Sequence, residues 1–121
     1  MSGTKGPSNR YGNTRGTPTE HINYPYAMRF NRNTIDAHLS KHKREVCANS
    51  RVEYEAKAVT FANNVDRINH VSFIDNRGTT HKYSIATGEY AAIRANGIVI
   101  TYFKPTEGLR YYEKEADRYG R

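Results

Sequence analysis

His38 and His42 stand four residues apart, a spacing that places both imidazoles on one face of a helix. Two neighbouring imidazoles could ligate a metal or move protons. A metal site needs further ligands, and no nearby Asp/Glu-plus-His pattern completes one. Leu39 also stands where a zincin helix carries its general-base glutamate. Proton transfer has a clearer use. Cleaving RNA without a metal requires a base for the 2′-hydroxyl, an acid for the leaving oxygen and donors for the charged phosphorane. Histidine suits the first two roles because it titrates near neutrality. The structural alternative is a pair of histidines hydrogen-bonded at the margin of a core.

A second group of candidates lies in the run Thr101-Tyr102-Phe103-Lys104-Pro105. Thr101 could donate to a phosphate oxygen, although threonine is first a good strand former. Lys104 and Arg94 could hold phosphate, or serve only as solvated surface. Tyr83, Tyr90 and Phe103 could stack on unpaired bases, and some of them must instead be core.

The elements that must position these groups are legible in outline. Residues 1–20 hold Gly, Pro, Ser, Thr and Asn with almost no apolar residue, and read as a flexible linker ahead of a domain spanning 21–121. A helix is predicted from an N-cap at Asn33 or Thr34 to about Cys47. Its apolar stripe carries Ile35, Leu39 and Val46, with His42 inside the stripe and His38 at its edge. A second helix starts at the capping box Ser50-x-x-Glu53 and buries Tyr54, Ala58, Phe61, Ala62 and Val65.

From Val71 the pattern alternates. Strands are predicted near 71–75, 79–84, 89–94 and 98–104, with short connections that make an antiparallel meander. A two-residue turn at Asn96-Gly97 would pair Arg94 with Val99, Ile93 with Ile100, Ala92 with Thr101 and Tyr90 with Phe103. A four-residue turn before it would pair Tyr83 with Tyr90 and His81 with Ala92. His81, Tyr83, Arg94, Thr101 and Phe103 would then share one open face, and Lys82 would turn to the helix side. The expected class is α+β, two N-terminal helices packed on a four-stranded antiparallel β-meander. The terminal YYEKEADRYGR reads as a polar tail with a short helical turn.

Composition narrows the partner. The 121 residues include 19 Lys+Arg against 12 Asp+Glu, a formal charge of +7, which favours a polyanion such as nucleic acid. Solubility or an acidic protein partner would use the same charge. The single cysteine, Cys47, excludes an internal disulfide and a cysteine zinc cluster. No membrane span is expected, and residues 1–20 lack the apolar core of a signal peptide, so any export would depend on another module or partner.

Four fragments in order carry a resemblance: His38-Leu-Ser-Lys-His42-x-x-Glu45, then Glu53-Tyr54-x-x-x-Ala58 with Phe61, then Gly78-x-x-x-x-Tyr83-x-x-x-Thr87-Gly88-x-Tyr90, and Asn96-Gly97-x-x-x-Thr101-Tyr-Phe-Lys-Pro105. Over about residues 35–112 the chain resembles the C-terminal ribonuclease toxin domains of bacterial polymorphic toxins, of the LXG and contact-dependent-inhibition types, in the barnase-like ribonuclease superfamily. The resemblance implies a barnase-like fold and a metal-independent endoribonuclease without a cofactor. It also implies a carrier toxin module upstream, an acidic cognate immunity protein, and action on RNA, with tRNA one candidate target, in the target-cell cytoplasm after secretion or delivery. On that resemblance the catalytic candidates are His42, His38, Thr101 and Lys82, with Tyr83, Arg94, Phe103, Lys104 and His81 on the substrate. The chain departs from the pattern at Asp75, where the family often has Arg, and at Gly88, where Asn is common. At the first, either Arg77, Arg94 or His81 substitutes or the role is not needed. A noncatalytic nucleic-acid-binding module is the alternative that the same basic and aromatic residues allow.

Overall fold

A computed structural model describes residues 26–120, so the linker expected over 1–20 lies outside the described residues. The elements in chain order are β1 (Arg29–Phe30), α1 (Ile35–Val46), α2 (Arg51–Asn63), β2 (His70–Ile74), β3 (Thr80–Ser84), β4 (Tyr90–Ile93), β5 (Ile98–Phe103) and α3 (Leu109–Tyr119). The strands form one sheet in the order β1-β5-β4-β3-β2, antiparallel except where β1 runs parallel to β5. The α+β class holds, with three helices and five strands in place of two and four.

Both N-terminal helices form where the sequence places them. Thr34 is the N-cap residue of α1, and the chain leaves that helix through Cys47 in the left-handed region at φ 57°. At α2, Ser50 Oγ accepts from Glu53 N at 3.1 Å, while the Glu53 carboxylate reaches Asn49 N at 2.6 Å instead of the expected Ser50. Ile35, Val46, Tyr54, Ala58, Phe61 and Ala62 join Ala91, Ile93, Val99 and Tyr102 in a core on one sheet face. Val65 lies beyond the end of α2 and is exposed, contrary to its expected place in the stripe.

The extra strand depends on side chains. Glu55 accepts from Phe30 N at 2.8 Å, and Asn63 brackets Ala27, accepting from its N–H at 2.8 Å and donating to its carbonyl at 3.0 Å. Two residues of α2 thus satisfy an edge that would otherwise leave backbone groups unpaired. The extra helix covers the second face. Tyr112 is fully buried among Val71, Phe73, Tyr83 and Tyr90, with Leu109, Tyr111, Ala116 and Phe103 around them.

The expected register holds through β3 and β4, where His81 pairs with Ala92 and Tyr83 with Tyr90. In the last hairpin it fails at the turn and recovers. Gly97 at φ 89° donates to Arg94 O at 2.9 Å, and Arg94 N donates to Ile98 O, so the loop has three residues where two were expected. That shift pairs Ile93 with Val99, and a bulge at Ile100 restores Ala92 to Thr101 and Tyr90 to Phe103. Val99 therefore enters the core in place of Ile100. Glycine at 97 also meets a packing demand, because a Cβ there would lie 2.7 Å from Tyr26 O.

Candidate functional site

Because β1 is short and pairs only with Ile98 and Val99, the C-terminal half of β5 has no strand on its β1 side, and α1 supplies a side chain there. Glu45 Oε2 accepts from Lys104 N at 3.0 Å, just past the end of β5. The same oxygen lies 3.0 Å from His42 Nδ1. An ionised Glu45 can only accept, so this contact fixes the proton of neutral His42 on Nδ1 and leaves Nε2 as the basic nitrogen. Nε2 makes no hydrogen bond among the described residues. The imidazole rests against Phe103 with ring centroids 5.0 Å apart, and its side chain is 14% exposed. Glu45 was not among the candidate site residues. Its signal was present in the sequence as a carboxylate three residues after His42.

His38 is packed between His42 and Phe30, with ring centroids 5.8 and 5.3 Å away. Its Nδ1 is buried without a hydrogen-bond partner among the described residues. Burial first, then His42 and Lys41, hold its pKa below the ordinary histidine value, so this ring is neutral near pH 7. His70 behaves alike: burial and then Lys82 pull it down, against Asp66, Glu89 and the Asn64 carbonyl. Both folded pKa values lie below the unfolded value of about 6.5, so the unfolded chain binds more protons as the pH falls below that value. Stability is therefore expected to be complete above about pH 6.5 and to decline as the pH drops through the two folded pKa values. Guanidinium unfolding midpoints at pH 7.5 and 5.0 measure this, and His70→Gln should shrink the difference.

The remaining candidates divide. Thr101 shares a row with Ala92 and His81, on the same face as Phe103 and two residues before it, and is partly exposed. Arg94 is exposed at the β4–β5 turn. Phe103 is half-buried by His42, Tyr90 and Tyr111. Lys104 contributes its backbone N–H to Glu45, and its side chain is partly exposed.

Three candidates are buried away from an open face, Lys82 on the helix side as the register predicts. Lys82 is 1% exposed on the α2 side, where its ammonium donates to the carbonyls of Phe61, at 3.0 Å, Ala62, at 3.3 Å, and Asn64. It neutralises the C-terminal end of α2 and does not face Thr101. Tyr83 is 5% exposed and stacked on Tyr112, since α3 covers the part of the face expected to be open; it has no ring surface for a base. His81 is 9% exposed, stacked on Phe73, with Nε2 2.9 Å from Asp75 and Nδ1 2.7 Å from the Tyr90 hydroxyl. Both of its ring nitrogens are occupied, so it supports the sheet face and offers no donor to a substrate.

Asp75 also builds the β2–β3 turn, accepting from Arg77 N at 2.8 Å and Thr79 N at 3.0 Å. Burial pushes its carboxyl up, and the hydrogen bonds from His81, Thr79 and Arg77 outweigh this and leave it below the usual carboxylate range. Among the described residues no group of three or more His, Cys, Asp or Glu side chains is placed to hold a metal ion. No described helix is long and apolar enough to cross a membrane. No family model and no characterised protein matches the chain.

Proposed function

We propose that the chain is a metal-independent endoribonuclease centred on His42. The observation that carries this reading is the shared Glu45 carboxylate oxygen, which orients His42 through Nδ1 while it is itself held by Lys104 N. A carboxylate-oriented imidazole with a free Nε2 is the arrangement of a general base. In the proposed reaction Nε2 takes the proton of a 2′-hydroxyl, whose oxygen attacks the adjacent phosphorus. The 5′-oxygen leaves with a proton from solvent, giving a 2′,3′-cyclic phosphate and a 5′-hydroxyl. Thr101 donates to a nonbridging oxygen, Lys104 supplies positive charge, and Phe103 offers its exposed edge to a base. His38 packs against His42 and keeps its ring in place.

The resemblance to polymorphic-toxin ribonucleases agrees with this assignment, including at Gly88, whose φ of 82° suits both glycine and the family's asparagine. On the toxin reading, a carrier module delivers the domain to the cytoplasm of a target cell, where it cuts tRNA or another RNA. An acidic immunity protein is steered onto the basic surface in the producer. A noncatalytic RNA-binding module is the second reading, favoured by the structural use of Lys82 and by the packed, neutral His38.

Incubating the purified protein with total RNA in EDTA separates the two. Fragments ending in 2′,3′-cyclic phosphate are expected. RNA retained intact on the protein would establish the binding module, and cleavage abolished by EDTA would overturn the metal-free mechanism.

A further inference from the structure

Two adjoining clefts lie at the β4–β5 turn. One is lined by Arg29, Asn31, Arg32, Asn33, Arg94 and Asn96. The other is lined by Arg77, Thr79, His81, Ile100 and again Arg94 and Asn96. Among the described residues none of these four arginines has an acidic partner, whereas Arg51 pairs with Asp36 and Lys114 with Glu107. The carboxylate in the second cleft, Asp75, is engaged by Arg77 N, Thr79 N and His81. The clefts therefore present guanidinium groups interspersed with amide side chains, a donor set matched to phosphate oxygens.

Their position relative to His42 follows from β5. From Phe103, against His42, back to Ile98, which lines the first cleft, is five residues of strand, or ~17 Å. At the ~3.4 Å per nucleotide of a stacked strand this spans about five nucleotides. Apart from the partly exposed Ile100, neither cleft is lined by an exposed aromatic or large aliphatic anchor of the kind that dominates protein–protein binding.

We infer that Arg29, Arg32, Arg77 and Arg94 form an accessory track that binds the sugar-phosphate backbone of the RNA strand several nucleotides from the bond cut at His42. The track rests on the ribonuclease reading for its relation to His42, and its binding of RNA is tested apart from cleavage. The probe is a fluorescent 12-nucleotide single-stranded RNA, titrated with His42→Ala protein by anisotropy from 50 to 200 mM KCl. Adding Arg29→Gln and Arg94→Gln should weaken binding about 10-fold and reduce the slope of log K against log salt by ~1.4, at ~0.7 for each phosphate no longer neutralised.

The control Arg67→Gln with Lys114→Gln removes the same charge elsewhere and should move the slope far less. An equal loss in the control, or no loss in the track variant, overturns the inference. So does a track variant that loses binding to poly-glutamate while keeping RNA, which would assign the clefts to an acidic protein. If protein retaining His42 cleaves no RNA, the ribonuclease reading fails, and the anisotropy result alone upholds or overturns RNA binding by the track.

Discussion

Replacing His42 with alanine is expected to lower the rate of RNA cleavage by about 10³-fold, within the range lost when a positioned general base is removed. The imidazole also packs on Phe103, so His42→Gln serves as a second variant that keeps most of that packing. Thermal unfolding of both checks that the fold persists. Glu45→Gln retains an oxygen for Lys104 N but removes the negative charge that stabilises the imidazolium as it forms, so kcat should fall by about 10- to 100-fold with little change in unfolding temperature. Thr101→Ala should cost about 10²-fold if its hydroxyl meets the phosphorane. His38→Gln should behave differently. A ring packed between Phe30 and His42, with a nitrogen unpartnered among the described residues, acts on stability and alignment, so its loss should lower the unfolding temperature more than the rate. Full cleavage by stable His42→Ala and His42→Gln proteins would sink the assignment.

The parts of this site that were legible in the sequence are those governed by local rules. Helical spacing placed His38 and His42 on one face, and alternation with short turns gave the pairing of β3 with β4. The last hairpin was read correctly at Thr101 and Phe103 for an incomplete reason. A three-residue turn and the bulge at Ile100 are two departures that cancel, leaving Ile93, Arg94, Val99 and Ile100 with partners other than those expected. β1 escaped notice because two residues carry no periodicity, and the side chains that hold it and the preceding Ala27, Glu55 and Asn63, lie 25 and 36 positions from their partners. α3 escaped because its buried stripe uses tyrosine. Leu109, Tyr112 and Ala116 follow helical spacing, but hydroxyls and flanking charges made the segment look like solvent-facing tail. That omission had the largest functional consequence, since α3 closes the face on which Tyr83 was expected to stack bases.

Lys82 shows how a residue chosen for charge can belong to the fold, and its replacement by methionine should destabilise the protein strongly. The three carbonyls that receive its ammonium lie at the C-terminal end of α2, where the helix dipole places partial negative charge and backbone donors are scarce, Phe61 O receiving only a shared Asn64 N–H at 3.3 Å. Methionine fills a similar volume but donates nothing. With some of the freed carbonyls able to reach water, the loss should be about 2–4 kcal/mol, lowering the unfolding temperature by ~10–20 °C. The midpoint in guanidinium should fall with the m-value unchanged. The titration adds a second signature. Burial pulls the Lys82 ammonium down to about 8, against Glu89 and Asp66. Between that value and the unfolded value of about 10.4 the unfolded chain holds the extra proton, so unfolding free energy should rise with pH from about 8 to 9.5, below the range where unfolded tyrosines ionise. Lys82→Met should flatten that rise. If the variant instead keeps its stability and loses RNA cleavage, the lysine acts on substrate, and its assignment to the end of α2 is wrong.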